Sequence, residues 1–69
     1  MDQIKIGKFI AERRKQGGLT QMQLAELVEI DRSHISSIEL GNVGVSFDVV
    51  FKLCEVLEIT SKQLFDFRE

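Results

Sequence analysis

Apolar residues recur at intervals of three and four along the chain, which is the spacing of one face of an α-helix. Ile6 and Ile10 begin the pattern with Phe9 beside them, and the polar run ERRKQ extends it to two glycines. Because Gly17-Gly18 is typical of a helix end, the pattern predicts a first helix over about residues 3–16.

The segment TQMQLAELV predicts a second, short helix over about residues 21–28. Thr20 can serve as its N-cap, and Gln23 stands where the second half of a T-x-x-Q capping box is required. The residues expected to face inward are Leu24, Ala25 and Val28.

A third helix is predicted to begin after Asp31, whose carboxylate can accept from the free amides of a first helical turn. Ile35 and Ile38 would point inward, and Gly41 would end the helix. The residues then left on the outside are Arg32, Ser33, Ser36 and Ser37.

Two further helices are predicted, with Ser46 and Thr60 as their N-caps. The inner face of the fourth helix would hold Val50, Leu53, Cys54 and Leu57, and the fifth helix would carry Leu64, Phe65 and Phe67. The pattern as a whole predicts one all-α domain over residues 1–69, built from five short helices.

Composition limits the class of protein. A chain of 69 residues with 43% hydrophobic residues can form one small core. It has a single cysteine and therefore no internal disulfide, which suits a reducing cytoplasm. No apolar run approaches the roughly 20 residues needed to span a bilayer, and MDQIKIGKF lacks the apolar region of a signal peptide.

Charge is distributed unevenly along the chain, although the net charge is only -2. Residues 1–20 hold five cations and two acids, a net of +3, and residues 21–69 hold four cations and nine acids, a net of -5. A phosphate backbone responds to local charge, so the net acidity does not exclude a nucleic-acid partner.

Helices 2 and 3 form the informative pair. Two short helices joined by so tight a turn must cross steeply, and Ala25 lies where close approach requires a small side chain. The outer face of helix 3 then carries short polar side chains and one arginine, Arg32. Short side chains allow a helix to enter the major groove of DNA.

The segment GLTQMQLAELVEIDRSHISSIELG resembles the helix-turn-helix of the Xre/Cro/phage-repressor family. The matching residues are Leu19-Thr20-Gln21, Leu24-Ala25, Ile30, Ile35-Ser36, Ile38-Glu39 and Gly41. The resemblance continues through SFDVVFKLCEVLEITSKQLF and covers roughly residues 6–66. It implies a compact five-helix, lambda-repressor-like domain whose third helix enters the major groove.

The resemblance also implies roles for individual residues. The expected base contacts are Arg32, Ser33 and Ser37. The expected contacts to the DNA backbone are Thr20, Gln21, Ser36, Asn42 and Arg14, with help from the amides of Gly41 and Asn42. Gln21 would also brace a base contact, and a salt bridge between Arg14 and Glu39 would tie helix 1 to helix 3.

The chemistry of Arg32 supports its role independently. A guanidinium in the first turn of helix 3 can reach O6 and N7 of a guanine together, which is worth roughly 1–3 kcal/mol of discrimination. The run Arg13-Arg14-Lys15 could contact phosphate or form only a solvated helix end.

Several residues depart from the family pattern. Glu29 and Glu58 stand where glycine is usual, so either the turns relax or the chain adopts a left-handed conformation that costs roughly 1–2 kcal/mol per residue. Leu40 replaces a polar residue beside the phosphates, and Leu27 lies at a position that is usually polar. Fewer phosphate contacts are therefore expected.

The remaining candidate residues have simpler interpretations. His34 has no Cys, His or carboxylate neighbours at metal-ligand spacing, so neither a metal nor a cofactor is expected. Cys54 fits a small buried apolar position. Phe65 and Phe67 exceed the needs of one small core and are candidate dimer contacts.

The leading hypothesis is a sequence-specific regulator of transcription, with repression favoured, that binds an inverted repeat in double-stranded DNA as a homodimer. The length suits a small stand-alone regulator or the N-terminal domain of a longer one. The alternative is a protein-interaction module such as an antitoxin that binds a toxin through helices 4 and 5, which the net charge and Leu40 favour. An enzyme is not expected, because no paired carboxylates, nucleophile-base pair or phosphate loop is evident.

Overall fold

The computed structural model describes residues 2–58, which contain four α-helices. The helices are α1 (Gln3–Gln16), α2 (Gln21–Val28), α3 (Arg32–Glu39) and α4 (Phe47–Leu57). These bounds confirm the first four predicted helices and an all-helical arrangement of the described range. The predicted fifth helix, with Phe65 and Phe67, lies outside the described residues.

Side-chain caps begin three of the four helices. Asp2 and Ser46 accept from Lys5 N and Val49 N, and Thr20 forms the complete capping box predicted with Gln23. The prediction for Asp31 was wrong: it holds the extended N-cap backbone, but its carboxylate makes no capping hydrogen bond. The side chain of Asp31 is exposed, so its carboxylate can accept hydrogen bonds from water instead of from the backbone amides of the first turn.

A single apolar core joins the four helices. Its fully buried members come from every helix and are Ile10, Leu24, Val28, Ile35, Ile38 and Leu53. On α4, Val49 is buried and Cys54 only partly so, which corrects the predicted inner face. Val49 lies one helical turn before Leu53, so Val49 and Val50 both belong to the buried face of α4.

Gly7 allows α1 to cross the end of α3 at close range. A Cβ atom at this position would lie 2.3 Å from the carbonyl oxygen of Ile38 and 2.6 Å from that of Glu39. No other residue fits such an approach without moving the backbone of one helix. The contact fixes the C-terminal end of α3 against α1.

The turns after α2 and α4 adopt the left-handed conformation despite lacking glycine. Glu29 has φ 64° and Glu58 has φ 56°. The carboxylate of Glu29 lies 2.8 Å from Nζ of Lys52, and this contact lowers the pKa of Glu29. The sequence left open whether these turns relax or adopt the strained left-handed conformation. In the structure both turns adopt the strained conformation.

None of the helices within residues 2–58 is both long and apolar enough to cross a membrane.

Candidate DNA-binding surface

The outer face of α3, defined here as Arg32, Ser33, Ser36 and Ser37, is held away from the core by two buried residues. Ile35 and Ile38 are 0% and 1% exposed and anchor the helix from behind. Arg32 and Ser33 are exposed, and Ser36 and Ser37 are half-buried. The outer face therefore presents one cation and three hydroxyl groups, each able to donate or accept a hydrogen bond.

The start of α2 lies beside this face and is fixed by its capping box. The amide of Thr20 donates to Oε1 of Gln23 over 2.8 Å, and the amide of Gln23 donates to Oγ1 of Thr20 over 3.1 Å. Thr20 itself is exposed. Its hydroxyl acts here as an acceptor, so its hydrogen remains available for a phosphate oxygen.

Gln21 connects the two ends of α3. Its side-chain Nε2 donates to Oε1 of Glu39 over 3.0 Å, and its Oε1 accepts from Nη1 of Arg32 over 3.1 Å. The bracing role implied by the family resemblance thus has a physical form, in which the amide of Gln21 holds the arginine of the outer face.

The expected pair of Arg14 and Glu39 is present and partly buried. Arg14 donates from Nε to Oε2 of Glu39 over 2.7 Å and from Nη2 to Oε1 over 3.1 Å, and Nη1 donates to the carbonyl of Leu19 over 2.8 Å. The hydrogen bond to Glu39 raises the pKa of Arg14, against a smaller opposing effect of burial. Loss of one partner in such a buried pair typically costs about 3–5 kcal/mol.

The structure does not support a phosphate contact by Arg14. The residue is only 8% exposed, and all three of its guanidinium nitrogens donate within the protein. Arg13 is also engaged, because its Nη2 donates to the carbonyls of Leu57 and Glu58. The N-terminal cations left exposed are Lys5, Lys8 and Lys15.

The loop after α3 also differs from the expectation. The amide of Gly41 donates to the carbonyl of Ile38, and that of Asn42 donates to Ser37 over 2.9 Å, so both are used within the chain. The side chain of Asn42 is exposed and remains a candidate phosphate contact. Leu40 beside it is 65% exposed and offers no hydrogen bond there.

Two phenylalanines that the sequence interpretation did not single out are exposed on α4. Phe47 is 72% and Phe51 61% exposed, and their four-residue spacing puts them on one side of the helix. The inner face predicted for α4 already left both phenylalanines out, so their exposure could have been inferred from the sequence. Within residues 2–58, no group of three His, Cys, Asp or Glu side chains could hold a metal ion.

The sequence pattern of the helix-turn-helix family matches residues 10–64, most of the chain. The chain belongs to this family. The resemblance drawn from the residues around α2 and α3 is thereby confirmed.

Solved structures share the fold of this helix-turn-helix chain. The restriction-modification controller protein C.AhdI from Aeromonas hydrophila is 38% identical with a TM-score of 0.86, and the match covers 93% of this chain and 97% of that one. The clp gene regulator ClgR from Corynebacterium glutamicum has the same TM-score at 21% identity, over 96% of this chain and 70% of its own, which shows the fold alone.

Two curated relatives are longer than this helix-turn-helix chain. The competence pilus inhibition repressor of Acinetobacter baylyi is 35% identical over 60 residues, which cover 87% of this chain and 54% of the repressor. The antitoxin PezA of Streptococcus pneumoniae is 34% identical over 55 residues, or 80% of this chain and 35% of the antitoxin. The chain thus matches about half or less of the length of these relatives.

Proposed function

We propose that this protein is a sequence-specific repressor that binds an inverted repeat in double-stranded DNA as a homodimer, with α3 inserted in the major groove. The observation that carries the proposal is the outer face of α3, where Arg32 is exposed and held by Gln21. A single guanidinium among short hydroxyl side chains suits the floor of a groove, because none of its neighbours keeps the helix away.

Base reading on this proposal depends on Arg32, with Ser33 and Ser37 beside it. The donors of Arg32 that do not face Gln21 can meet O6 and N7 of a guanine. A serine hydroxyl can bond almost any base edge, so the two serines adjust the fit and specify less. Thr20, Gln21, Ser36 and the side chain of Asn42 would bind phosphates and set the register.

Internal ion pairs lessen the repulsion between this acidic chain and DNA. Arg14 neutralises Glu39 near the outer face of α3, and Lys52 neutralises Glu29 at the end of α2. With Arg13 and Arg14 engaged inside the protein, phosphate contacts depend on neutral donors and a few lysines. We therefore expect few phosphate contacts and a need for two copies on one operator.

Dimerisation is supported by the exposed apolar side chains of Phe47 and Phe51 on α4. Exposed aromatic residues on a short chain are typical of an interface. Phe65 and Phe67, also proposed as dimer contacts, lie outside the described residues. A two-fold pair would place the two copies of α3 about 34 Å apart, in successive major grooves.

Selection of bound sites from a random pool of duplex DNA tests the proposal. We expect an enriched inverted repeat whose half-sites are centred about one helical turn apart. An enriched site without two-fold symmetry would contradict the homodimer, and the absence of any enriched sequence would contradict specific reading of DNA.

A protein-interaction module is the second candidate. It is favoured by the hydrophobic exposure of Leu40, Phe47 and Phe51 and by the similarity to an antitoxin. Retention on duplex DNA at low salt separates the two candidates, because an interaction module without DNA affinity would show none.

A further inference from the structure

We infer that the buried ion pair of Arg14 and Glu39 acts through Gln21 to determine which base Arg32 prefers, and that this base is guanine. The inference rests on the proposed DNA reading and deepens it. The family resemblance already implied that Gln21 braces a base contact. The new element is that Glu39, held by Arg14, orients Gln21 and so takes part in base selection without touching the base. We call the series of hydrogen bonds from Arg14 through Glu39 and Gln21 to Arg32 the relay.

The first step of the relay fixes the orientation of the Gln21 amide. A carboxylate can only accept hydrogen bonds, and Oε1 of Glu39 accepts from both Nη2 of Arg14 and Nε2 of Gln21. If the amide were turned over, its oxygen would face the carboxylate of Glu39. The NH₂ group of Gln21 must therefore face Glu39, and its oxygen must face the other way.

The second step sets the position of Arg32. The oxygen of Gln21 accepts from Nη1 of Arg32 over 3.1 Å. If the amide were turned over, its NH₂ group would face the guanidinium, and two donors would meet. The bond restrains a long, exposed side chain before DNA is present, so less conformational entropy is lost on binding. Because Gln21 is neutral, Arg32 keeps its full charge.

The restrained guanidinium selects for guanine because it can only donate. Guanine offers two acceptors, O6 and N7, in the major groove. Cytosine offers an amino donor, adenine pairs one acceptor with a donor, and thymine has one acceptor beside a methyl group, so only guanine can accept two hydrogen bonds from one guanidinium. A mobile arginine could turn away from a base edge that lacks acceptors and bind a phosphate instead. The relay limits that choice and so raises the preference for guanine.

The far end of the relay is anchored in the protein interior. Glu39 is held by two hydrogen bonds from Arg14, and Arg14 is also bound to the carbonyl of Leu19. Gly7 lets α1 pass against the backbone of Ile38 and Glu39, so the backbone that carries this carboxylate is held in place. The orientation imposed on Gln21 is thus as firm as the packing of α1 on α3.

The test compares base preference at the position read by Arg32, identified as the position that Arg32→Ala relaxes in site selection. Competition binding would use four duplexes that differ only there, with guanine or one of the other three bases. We expect the full chain to prefer guanine by roughly 5- to 150-fold, the range for one bidentate contact. Gln21→Met should reduce this ratio at least about fivefold.

Gln3→Met is the matched control, because it makes the same change at an exposed position at the start of α1. It should leave the base ratio unchanged. The ratio is the informative quantity, since loss of a phosphate contact by Gln21 would weaken binding to all four duplexes equally. Thermal unfolding of each variant shows whether it is folded at the assay temperature.

Exchange of the two side chains gives an independent test. In Glu39→Gln, the new amide oxygen would accept from Arg14 and its NH₂ would face Gln21, which must then turn and release Arg32. Adding Gln21→Glu restores an acceptor toward both this new amide and Arg32. We expect Glu39→Gln to lose the guanine preference and the double variant to recover most of it, although at lower overall affinity.

The outcomes separate the relay from the proposed function. If the unmodified chain binds no duplex, the proposed function fails. If it prefers guanine and folded Gln21→Met and Glu39→Gln keep that ratio within about twofold, the relay is wrong. A preference for another base at this position, or no recovery in the double variant after loss in Glu39→Gln, would also contradict it.

Discussion

Arg32 shows how far sequence interpretation reaches at the scale of a residue. Its position in the first turn of α3 and its exposure were predictable from the pattern. The resemblance implied that Gln21 braces a base contact and that Arg14 pairs with Glu39, but it treats these pairs separately. The hydrogen bond from Gln21 to Glu39, which joins the two pairs, was not predictable. Only the folded arrangement brings four side chains from three helices into one series of hydrogen bonds.

Arg32→Ala is expected to relax specificity at one base position of each half-site. The expected loss of discrimination is about 1–3 kcal/mol, since the alanine cannot reach a guanine edge. Binding measured on matched and single-base-changed operators gives the comparison. An equal loss of affinity for every sequence would show that Arg32 contacts phosphate instead of a base.

The phosphate contact expected of Arg14 and the side-chain cap expected of Asp31 show the limits of residue-level prediction, although the predicted pair of Arg14 and Glu39 is present. Each side chain has several partners available in the sequence, and burial and backbone direction decide among them. The guanidinium of Arg14 donates hydrogen bonds to Glu39 and to the carbonyl of Leu19, whereas the side chain of Asp31 is exposed and makes no capping hydrogen bond.

Cys54 is expected to react slowly with alkylating reagents. Partial burial raises the pKa of its thiol, so the reactive thiolate is scarcer near neutral pH than for a free cysteine. The alkylation rate should rise with pH and lie below that of a cysteine peptide from about pH 7 to 9. A rate near neutral pH equal to that of the peptide would contradict the partial burial of Cys54.

At the scale of elements, the bounds of α1 to α4 were predictable because caps and apolar spacing act locally. The close crossing at Gly7 was not, since a glycine inside a helical pattern does not indicate which neighbour approaches it. The left-handed turn at Glu29 was recognised as a departure, but only the structure decides between strain and relaxation.

Gly7→Ala is expected to destabilise the domain by about 1–3 kcal/mol, because overpacking a tight contact costs that much. The added Cβ would lie 2.3 Å from a backbone oxygen, so neither helix can avoid it cheaply. The free energy of unfolding from denaturant titration measures the effect.

Gly17→Ala is the matched control. Its Cβ would meet carbonyl oxygens only at 3.6 Å, and Gly17 has φ -82°, which alanine adopts readily. We expect little change or a slight gain in stability. Equal effects of the two substitutions would contradict the close crossing of α1 and α3.

At the scale of the whole molecule, charge and oligomeric state would decide how the proposed regulator binds DNA. The N-terminal segment is rich in basic residues, but the guanidinium groups of Arg13 and Arg14 donate hydrogen bonds to other groups of the protein. Local charge sums could not reveal this, because they do not distinguish a cation that is bound internally from one that is free. The proposed dimer would offset the small number of phosphate contacts made by each chain, because two chains would bind one operator.

Phe51→Ser is expected to weaken self-association, because it removes an apolar side chain that is 61% exposed and contributes little to the core. Sedimentation velocity over a range of protein concentrations measures the monomer-dimer equilibrium. Met22→Ser is a suitable control, since Met22 is 58% exposed on a different helix. If the two variants associate equally, the α4 surface is not the interface.

The central claim is that this chain reads duplex DNA through α3, and a salt titration of binding tests it most directly. Affinity for the selected operator and for a scrambled duplex would be measured over a series of salt concentrations. We expect the operator to bind about 10³-fold more tightly or better. Affinity should fall linearly in a log-log plot, with a shallow slope of about -0.9 for each phosphate contacted. Equal affinity for both duplexes, or no binding at low salt, would contradict the claim.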